Sequence, residues 1–210
     1  MTEIILVRHG QTAWNVTEVF RGRIDIELDE TGMKQAELLA EYLSHRKLEV
    51  VYSSPLRRAA QTAEAIARHH GLTMEISPGL NDIDFGEWQG LSHEEVRIKY
   101  SELYSAWMTT PHRLRLPSGE SLDEVRQRAV ALVNEVVEKH EGAIVLVSHR
   151  VANKLLICAL LGLDNSHFWD IRFDTCGLTT FEFADGRFVL AEHNNTSFLE
   201  SLRQTPLSDF

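Results

Sequence analysis

Three short and mainly apolar runs occur in the chain, at residues 3–7, 48–52 and 143–147. The runs are rich in valine and isoleucine, and they lack the alternation of polar and apolar residues expected for a strand with one face in water. Such runs are typical of strands buried on both faces of a sheet. We therefore predict three β-strands that other elements cover on both sides.

Each apolar run is followed by polar residues and then by apolar residues at helical spacing. The predicted helices cover residues 31–46, 56–70, 120–139 and 151–163. The last of them is apolar nearly all round, which is typical of a helix inside the fold. Strands that alternate with helices predict an α/β fold, in which a mostly parallel sheet has helices on both faces and forms a three-layer sandwich.

The end of the chain carries a different pattern. Residues 178–183 and 188–192 have strand character and flank Asp185-Gly186, a pair typical of tight hairpin turns. We predict an antiparallel hairpin at one edge of the sheet. The polar tail at residues 203–210 is expected to be held loosely.

Residues 85–120 also interrupt the alternation of strands and helices. They contain Trp88, Trp107 and two prolines, with a helical stretch over residues 92–107. We predict a cap-like helical insertion that lies over the sheet, and we expect residues 1–210 to form a single domain. The two tryptophans are expected either to line a pocket or to form the insertion's own core.

The composition excludes several classes of protein. Hydrophobic residues make up 43% of the chain and charged residues 25%, which suits a globular core and excludes a chain disordered throughout. No run approaches the roughly 20 apolar residues of a membrane span, so no membrane partner is expected. The first residues lack a signal-peptide pattern. Two cysteines, Cys158 and Cys176, are too few for a disulfide framework, and we expect a cytoplasmic protein.

The formal net charge is −10, from 21 basic and 31 acidic residues. A nucleic-acid partner is therefore not expected, since such binding requires a basic surface. In an acidic chain, basic residues near buried strands are informative. The relevant residues are Arg8, Arg21, Arg23, Arg57 and Arg58. Their positions indicate that positive charge is concentrated for an anion.

Histidines and arginines follow the three predicted strands. They are Arg8-His9 after the first strand, Arg57-Arg58 after the second and His149-Arg150 after the third. Because the carboxyl ends of parallel strands meet at one edge of a sheet, we predict a site there. The alternative is that these residues only solvate the edge.

The segment after the second strand supports an anion site. Ser54 is predicted to cap the following helix, with Pro55 at its first position. Arg57 and Arg58 then lie in the first turn, where the helix dipole disfavours positive charge unless an anion binds there. Only one of these two neighbours can face the site.

Four stretches of the chain resemble the histidine phosphatase superfamily, also called the phosphoglycerate mutase-like family, and within it the small-molecule phosphatases. They are residues 6–15, 52–63, 85–90 and 147–149, and they occur in the family's order. The likeness covers nearly the whole chain, and the first two stretches are the most specific. It implies the same α/β fold as the pattern of apolar residues.

The resemblance also implies roles for individual residues. His9 is implied to be the nucleophile that accepts a phosphoryl group. Arg8, Arg58 and His149 complete the phosphate pocket, and Asn15 lines it. Arginines beside His9 favour its neutral form by charge repulsion and bind phosphate oxygens.

The implied general acid is Asp82, in the stretch before Phe85-Gly86. The family more often has glutamate at this position, so the side chain is one methylene shorter here. Asp84 and Glu87 are close enough in sequence to be alternative acids. We favour Asp82.

Two arginines depart from the family's pattern. Arg150 follows His149 where the family usually has glycine, and Arg21 precedes Gly22 where relatives often have glutamine. Arg21, Gly22 and Arg150 are therefore candidate substrate-binding residues, and either arginine can recognise an acidic group on the substrate. The alternatives are a surface ion pair for Arg150 and a solvated loop position for Arg21.

Together these residues predict a phosphomonoester hydrolase that acts on a small phosphorylated metabolite through a phosphohistidine. One alternative is a cofactor-dependent phosphoglycerate mutase, although the Arg-His-Tyr that follows the acid in mutases is absent. The other is a non-catalytic protein that binds a phosphoryl ligand. No metal-binding or nucleotide-binding motif is found, so no metal or cofactor is expected. We expect a monomer or a homodimer.

Overall fold

The computed structural model describes residues 2–202, so the tail predicted at residues 203–210 lies outside it. Within this range the strands are β1 (Thr2–Arg8), β2 (Leu48–Ser53), β3 (Glu75–Ile76), β4 (Ala143–Ser148), β5 (Leu178–Ala184) and β6 (Arg187–Asn195). The α-helices are α1 (Ala13–Val16), α2 (Glu30–Leu43), α3 (Arg57–His69), α4 (His93–Lys99), α5 (Ser101–Thr109), α6 (Leu122–Lys139) and α7 (Arg150–Leu160). The strands and helices predicted for the sandwich and the hairpin are present, with ends shifted by a few residues.

The six strands form one sheet in the order β3-β2-β4-β1-β5-β6. β1, β2, β3 and β4 are parallel to one another, whereas β5 runs antiparallel to β1 and β6 antiparallel to β5. The mostly parallel sheet is thus confirmed. β3 was not predicted, because it has two exposed residues and no apolar pattern marks it. The carboxyl ends of β2, β4 and β1 are neighbours, which brings the three polar segments together.

Helices cover both faces of the sheet, and this explains the continuous apolar runs. Ile5 and Val7 of β1 belong to the apolar cluster built with α2 and α3. Ile4 and Leu6 belong to the cluster on the opposite face, built with α6 and α7. All four side chains are inaccessible to solvent. Burying each one stabilises the fold by about 1.5–3 kcal/mol, and the three-layer sandwich is confirmed.

The residues between β3 and α6 build a third apolar cluster. Trp88 and Trp107 are buried in it, with ring centroids 6.4 Å apart, and Trp107 also contacts Phe168. The two tryptophans are therefore core residues. The single helical stretch predicted over residues 92–107 is wrong, because Tyr100 (φ −130°, ψ 45°) separates α4 from α5. The division of the chain into one domain with an insertion stays a prediction.

The edge hairpin is also confirmed. Ala184 pairs with Arg187 across the turn. Asp185 and Gly186 both have positive φ, 52° and 74°, as the tight turn between two twisted strands requires.

Cys158 and Cys176 are both buried free thiols. Among residues 2–202, no helix is both long enough and apolar enough to cross a bilayer.

Candidate active site

The carboxyl ends of β1 and β4 bring two histidines together, with their rings tilted by 57° to each other. The ring centroids of His9 and His149 are 5.1 Å apart, and both rings are almost completely buried. The Arg8 side chain is buried as well, and one of its guanidinium nitrogens donates to the carbonyl of Phe173. The three strand ends therefore converge on one site, as their order in the sheet requires.

The hydrogen bond at Nδ1 of His9 determines which ring nitrogen carries the proton. Nδ1 lies 2.7 Å from the carbonyl oxygen of Gly10, which can only accept, so Nδ1 is the donor. In the neutral ring Nε2 then keeps its lone pair. Burial lowers the pKa of His9 well below its usual value, and the nearby Arg58, Arg21 and Arg8 lower it further.

Gly10 itself is held in a crowded position. Its N–H donates to Oγ1 of Thr62 on α3 at 3.1 Å. A Cβ on Gly10 would lie only 2.6 Å from the carbonyl oxygen of Gly32 on α2. Only glycine fits here, so the position of the carbonyl that orients His9 is fixed by two helices.

Arg58 is the arginine of α3 that faces the site. Its side chain is fully buried, and its guanidinium donates to the carbonyls of Gly22 at 2.7 Å and Ile24 at 2.9 Å. It also lies 3.3 Å from Nδ1 of His149. Arg57 is exposed and instead pairs with acidic residues on the loop that precedes α2. The two arginines diverge, as neighbours on a helix do.

His149 is held between Arg58 and Ser54. Because Arg58 donates to Nδ1, the Nε2–H of the neutral ring donates to Oγ of Ser54 at 2.9 Å. Burial lowers the pKa of His149 well below its usual value, and repulsion from Arg58 lowers it further. The Ser54 hydroxyl in turn donates to Oδ1 of Asn81 at 3.2 Å.

The predicted helix cap at Ser54 and Pro55 is therefore wrong. The helix α3 begins at Arg57, and the residue that precedes it, Leu56, has extended backbone angles. The Ser54 hydroxyl accepts the N–H of Leu56 at 3.3 Å, one residue before the helix, and it bonds no N–H of α3 itself. The arginines still occupy the first turn.

Asp82 is the acidic residue that reaches the site. Its Oδ2 lies 3.3 Å from Nη2 of Arg58 and 3.8 Å from Nδ1 of His149. Its Oδ1 accepts the N–H of Ile83 at 3.0 Å, which fixes the carboxyl group. Only a small part of the residue is accessible to solvent.

The two alternative acids are engaged elsewhere. Oδ1 of Asp84 accepts the N–H of Gly86 at 2.8 Å. Glu87 accepts the hydroxyl of Tyr100 at 2.9 Å. Neither carboxyl group has a hydrogen bond or ion pair with the two site histidines or with Arg58.

The loop that carries Asp82 is fastened to α6 by Arg128, a residue that the sequence analysis missed. The Arg128 guanidinium donates to the carbonyls of Gly79, Asn81 and Asp82 at 2.7–3.0 Å. It also pairs with Glu120, which accepts the N–H of Asp84 at 2.9 Å. The sequence contains one signal that could have identified Arg128, which is its position within the apolar stripe of the helix that became α6.

The four remaining predicted residues lie at different places. Arg21 and Arg150 line a cavity that they share with Asp82. Gly22 has φ +50°, and its carbonyl accepts a hydrogen bond from Arg58. Its role in the structure is therefore to hold that arginine. Asn15 caps α1: its Oδ1 accepts the N–H of Thr12 at 2.9 Å.

Positive charge dominates the site. Arg8, Arg21 and Arg58 all raise the potential at His9, and Asp82 is the carboxylate beside them. Among residues 2–202, no three histidine, cysteine or acidic side chains are grouped as metal ligands. The arrangement can bind a dianion and present a neutral imidazole to it.

Because His9 and His149 are neutral in the folded protein, we expect the free energy of unfolding to decrease in acid. In the unfolded chain His9 and His149 take up a proton near pH 6.5, whereas the folded protein keeps both rings neutral to lower pH. The unfolded state therefore binds more protons below pH 6.5, and the free energy of unfolding decreases as the pH falls, by up to about 1.4 kcal/mol per pH unit for each ring. Urea unfolding between pH 7 and pH 5 measures this slope.

The variant His9→Asn is expected to reduce that slope by one ring's share. His69→Asn, which replaces a partly exposed histidine at the end of α3, is the matched control. A slope that is the same in His9→Asn and in the wild type would contradict a neutral His9.

Comparison with known proteins places this site in a family. The chain matches the profile described as histidine phosphatase superfamily (branch 1) over residues 4–196. It is 38% identical over 200 residues to phosphoserine phosphatase 1 of Hydrogenobacter thermophilus, and the match covers 95% of each chain.

Two solved structures share the fold. A mycobacterial glucosyl-3-phosphoglycerate phosphatase, solved in complex with VO3, superposes with a TM-score of 0.87 at 30% identity and covers 92% of this chain and 99% of its own. The phosphoserine phosphatase of Entamoeba histolytica, solved in complex with 3-phosphoglyceric acid, gives a TM-score of 0.83 at 32% identity, with 95% and 100% covered.

All three relatives are phosphatases of small phosphorylated metabolites by name, which confirms the prediction of a phosphatase. The matched residues run through all three strand ends that form the site. By its sequence and by its fold, the chain belongs to the histidine phosphatase superfamily.

Proposed function

We propose that the protein hydrolyses small phosphomonoesters through a phosphohistidine formed on His9. The observation that carries the proposal is the bond from Nδ1 of His9 to the Gly10 carbonyl, which leaves a lone pair on Nε2 amid buried arginines. A neutral imidazole is a nucleophile toward phosphorus. Phosphoryl transfer then requires positioning and positive charge, which Arg8 and Arg58 supply.

In the first half of the reaction, Arg8 and Arg58 bind the phosphoryl oxygens, and His149 lies beside them. Nε2 of His9 donates its lone pair to phosphorus as the bond from phosphorus to the ester oxygen breaks. Asp82, carrying a proton, gives it to the leaving alkoxide. The products are the free alcohol, phosphohistidine and an ionised Asp82.

In the second half, water hydrolyses the phosphohistidine. Asp82 takes a proton from the water whose oxygen attacks phosphorus. The bond from phosphorus to Nε2 of His9 breaks, and the electron pair returns to the ring. Inorganic phosphate leaves, and Asp82 is protonated for the next turnover.

We propose that these steps need no metal ion, because the buried arginines supply the positive charge that metals supply in other phosphatases. We also propose a cytoplasmic location, which suits the free thiols of Cys158 and Cys176. Small phosphorylated metabolites are the substrates of the named relatives, and we propose a substrate of that class here.

The test uses the wild-type protein in the presence of EDTA. We expect steady release of phosphate from p-nitrophenyl phosphate over many turnovers, and a labelled phosphoenzyme that is stable in base and labile in acid. Binding of phosphate without any turnover would support the non-catalytic alternative and overturn the proposal. Exchange between phosphoglycerates that depends on bisphosphoglycerate would indicate a mutase.

A further inference from the structure

We infer that Arg21 and Arg150 bind an anionic group carried by the alcohol part of the substrate, so that the preferred substrate is a phosphomonoester with a second anionic group. This inference rests on the proposed phosphatase activity. It assigns a joint role to the two arginines that depart from the family's pattern.

The first support is a small cavity of about 20 Å³ next to the phosphate pocket. Its polar lining comes from Arg21, Arg150, His93 and Asp82, and apolar walls such as Phe85 complete it. The cavity has room for a group about the size of a water molecule, such as one anionic oxygen. Two arginines and a single carboxylate give it a net positive charge.

The second support is the position of Asp82, which belongs to both pockets. Its carboxyl group lies beside Arg58 and His149, and it also lines the cavity. In the proposed reaction Asp82 protonates the ester oxygen of the leaving alcohol. The alcohol therefore extends from Asp82 on the side away from the phosphoryl group, and an anionic oxygen that it carries can enter the cavity.

The third support is the surplus of positive charge around Arg21. The guanidinium is repelled by Arg8, Arg58 and Arg150 and is attracted by Asp82. Its Nε is buried and has no hydrogen-bond partner among residues 2–202. An anionic oxygen in the cavity would satisfy this donor and offset the repulsion.

Arg150 and His93 complete the polar lining of the cavity. Arg150 is the first residue of α7, where the helix dipole disfavours a cation unless an anion is bound nearby. His93 stacks on Phe20 and has Nδ1 3.3 Å from the hydroxyl of Tyr104. Burial and the two arginines lower the pKa of His93 to about 4, so it is neutral at pH 7. The positive charge of the cavity therefore belongs to Arg21 and Arg150.

The test compares substrates that differ only in the second anionic group. 3-Phosphoglycerate carries a carboxylate where glycerol 3-phosphate has a neutral CH₂OH. 1,3-Propanediol bisphosphate and 3-hydroxypropyl phosphate test a second phosphate in the same way. We expect the wild type to prefer the charged member of at least one pair in kcat/KM. Arg21→Gln and Arg150→Gln should each reduce that preference by about ten- to a hundredfold, the effect of losing one charge-assisted hydrogen bond.

Arg57→Gln is the matched control, because it removes one exposed positive charge that points away from the site. Thermal unfolding of each variant checks that it is folded. Equal kcat/KM for both members of both pairs, or a preference that survives in Arg21→Gln and Arg150→Gln, overturns this inference and leaves the phosphatase proposal intact. Failure of the wild type to hydrolyse any monoester, p-nitrophenyl phosphate included, overturns the phosphatase proposal.

Discussion

The variant His9→Asn is expected to lower kcat for p-nitrophenyl phosphate by about 10⁴-fold or more, because it removes the nucleophile on which the covalent intermediate forms. Asparagine keeps a side-chain amide near the Gly10 carbonyl, so the loop has a polar group in place of Nδ1–H. The measurement is phosphate release together with quantification of the acid-labile label after quenching. Both should be lost together.

The control for this experiment is His69→Asn, which makes the same substitution at the far end of α3 and should retain wild-type turnover and label. Retention of acid-labile label in His9→Asn would place the nucleophile on another ring, and His149 is the neighbouring candidate. Undiminished hydrolysis without any label would exclude a covalent intermediate.

The variant Asp82→Asn is expected to reduce hydrolysis of alkyl phosphates by about 10²–10⁴-fold, the usual contribution of a general acid or base. Its signature depends on the leaving group. p-Nitrophenolate leaves without a proton, so phosphorylation of His9 should stay fast with this ester, while the later attack by water lacks its base. We therefore expect a burst of about one p-nitrophenol per enzyme, followed by slow turnover.

Asp84→Asn and Glu87→Gln are the matched controls, because both carboxyl groups are engaged away from the histidines. They should show neither the burst nor the dependence on the leaving group. A burst in Asp84→Asn together with normal kinetics in Asp82→Asn would assign the acid to Asp84. Stopped-flow absorbance of p-nitrophenolate separates these outcomes.

The architecture was predictable from the sequence because its strands are buried on both faces. Burial leaves an unbroken apolar run, and the polar residues that follow each run mark the strand ends. The sequence did not predict the strand order, but the carboxyl ends of parallel strands share one edge, and this was enough to predict that Arg8, His9 and His149 meet there. Strand β3 has no such signal, since its two residues are exposed.

What the sequence could not predict depends on contacts between distant residues. The start of α3 was misplaced because the Ser54 hydroxyl bonds to the N–H of Leu56 and to His149, 95 residues away, and caps no N–H of the helix. Asp82 was preferred through a resemblance, whereas its distance to Arg58 depends on how the loop folds. Arg128 was missed because three of its partners are backbone carbonyls, which leave no motif in the sequence.

Glu120 joins the two loops that approach the substrate. One of its oxygens contacts Arg23, in the loop of Arg21, at 3.0 Å, and it also pairs with Arg128, which holds the loop of Asp82. The leaving-group pocket and the acid are thus not separable modules. A protein engineer who transplants the Arg21 loop into a related enzyme would have to carry this glutamate and its arginine partner along, or the graft would lose its alignment with the acid.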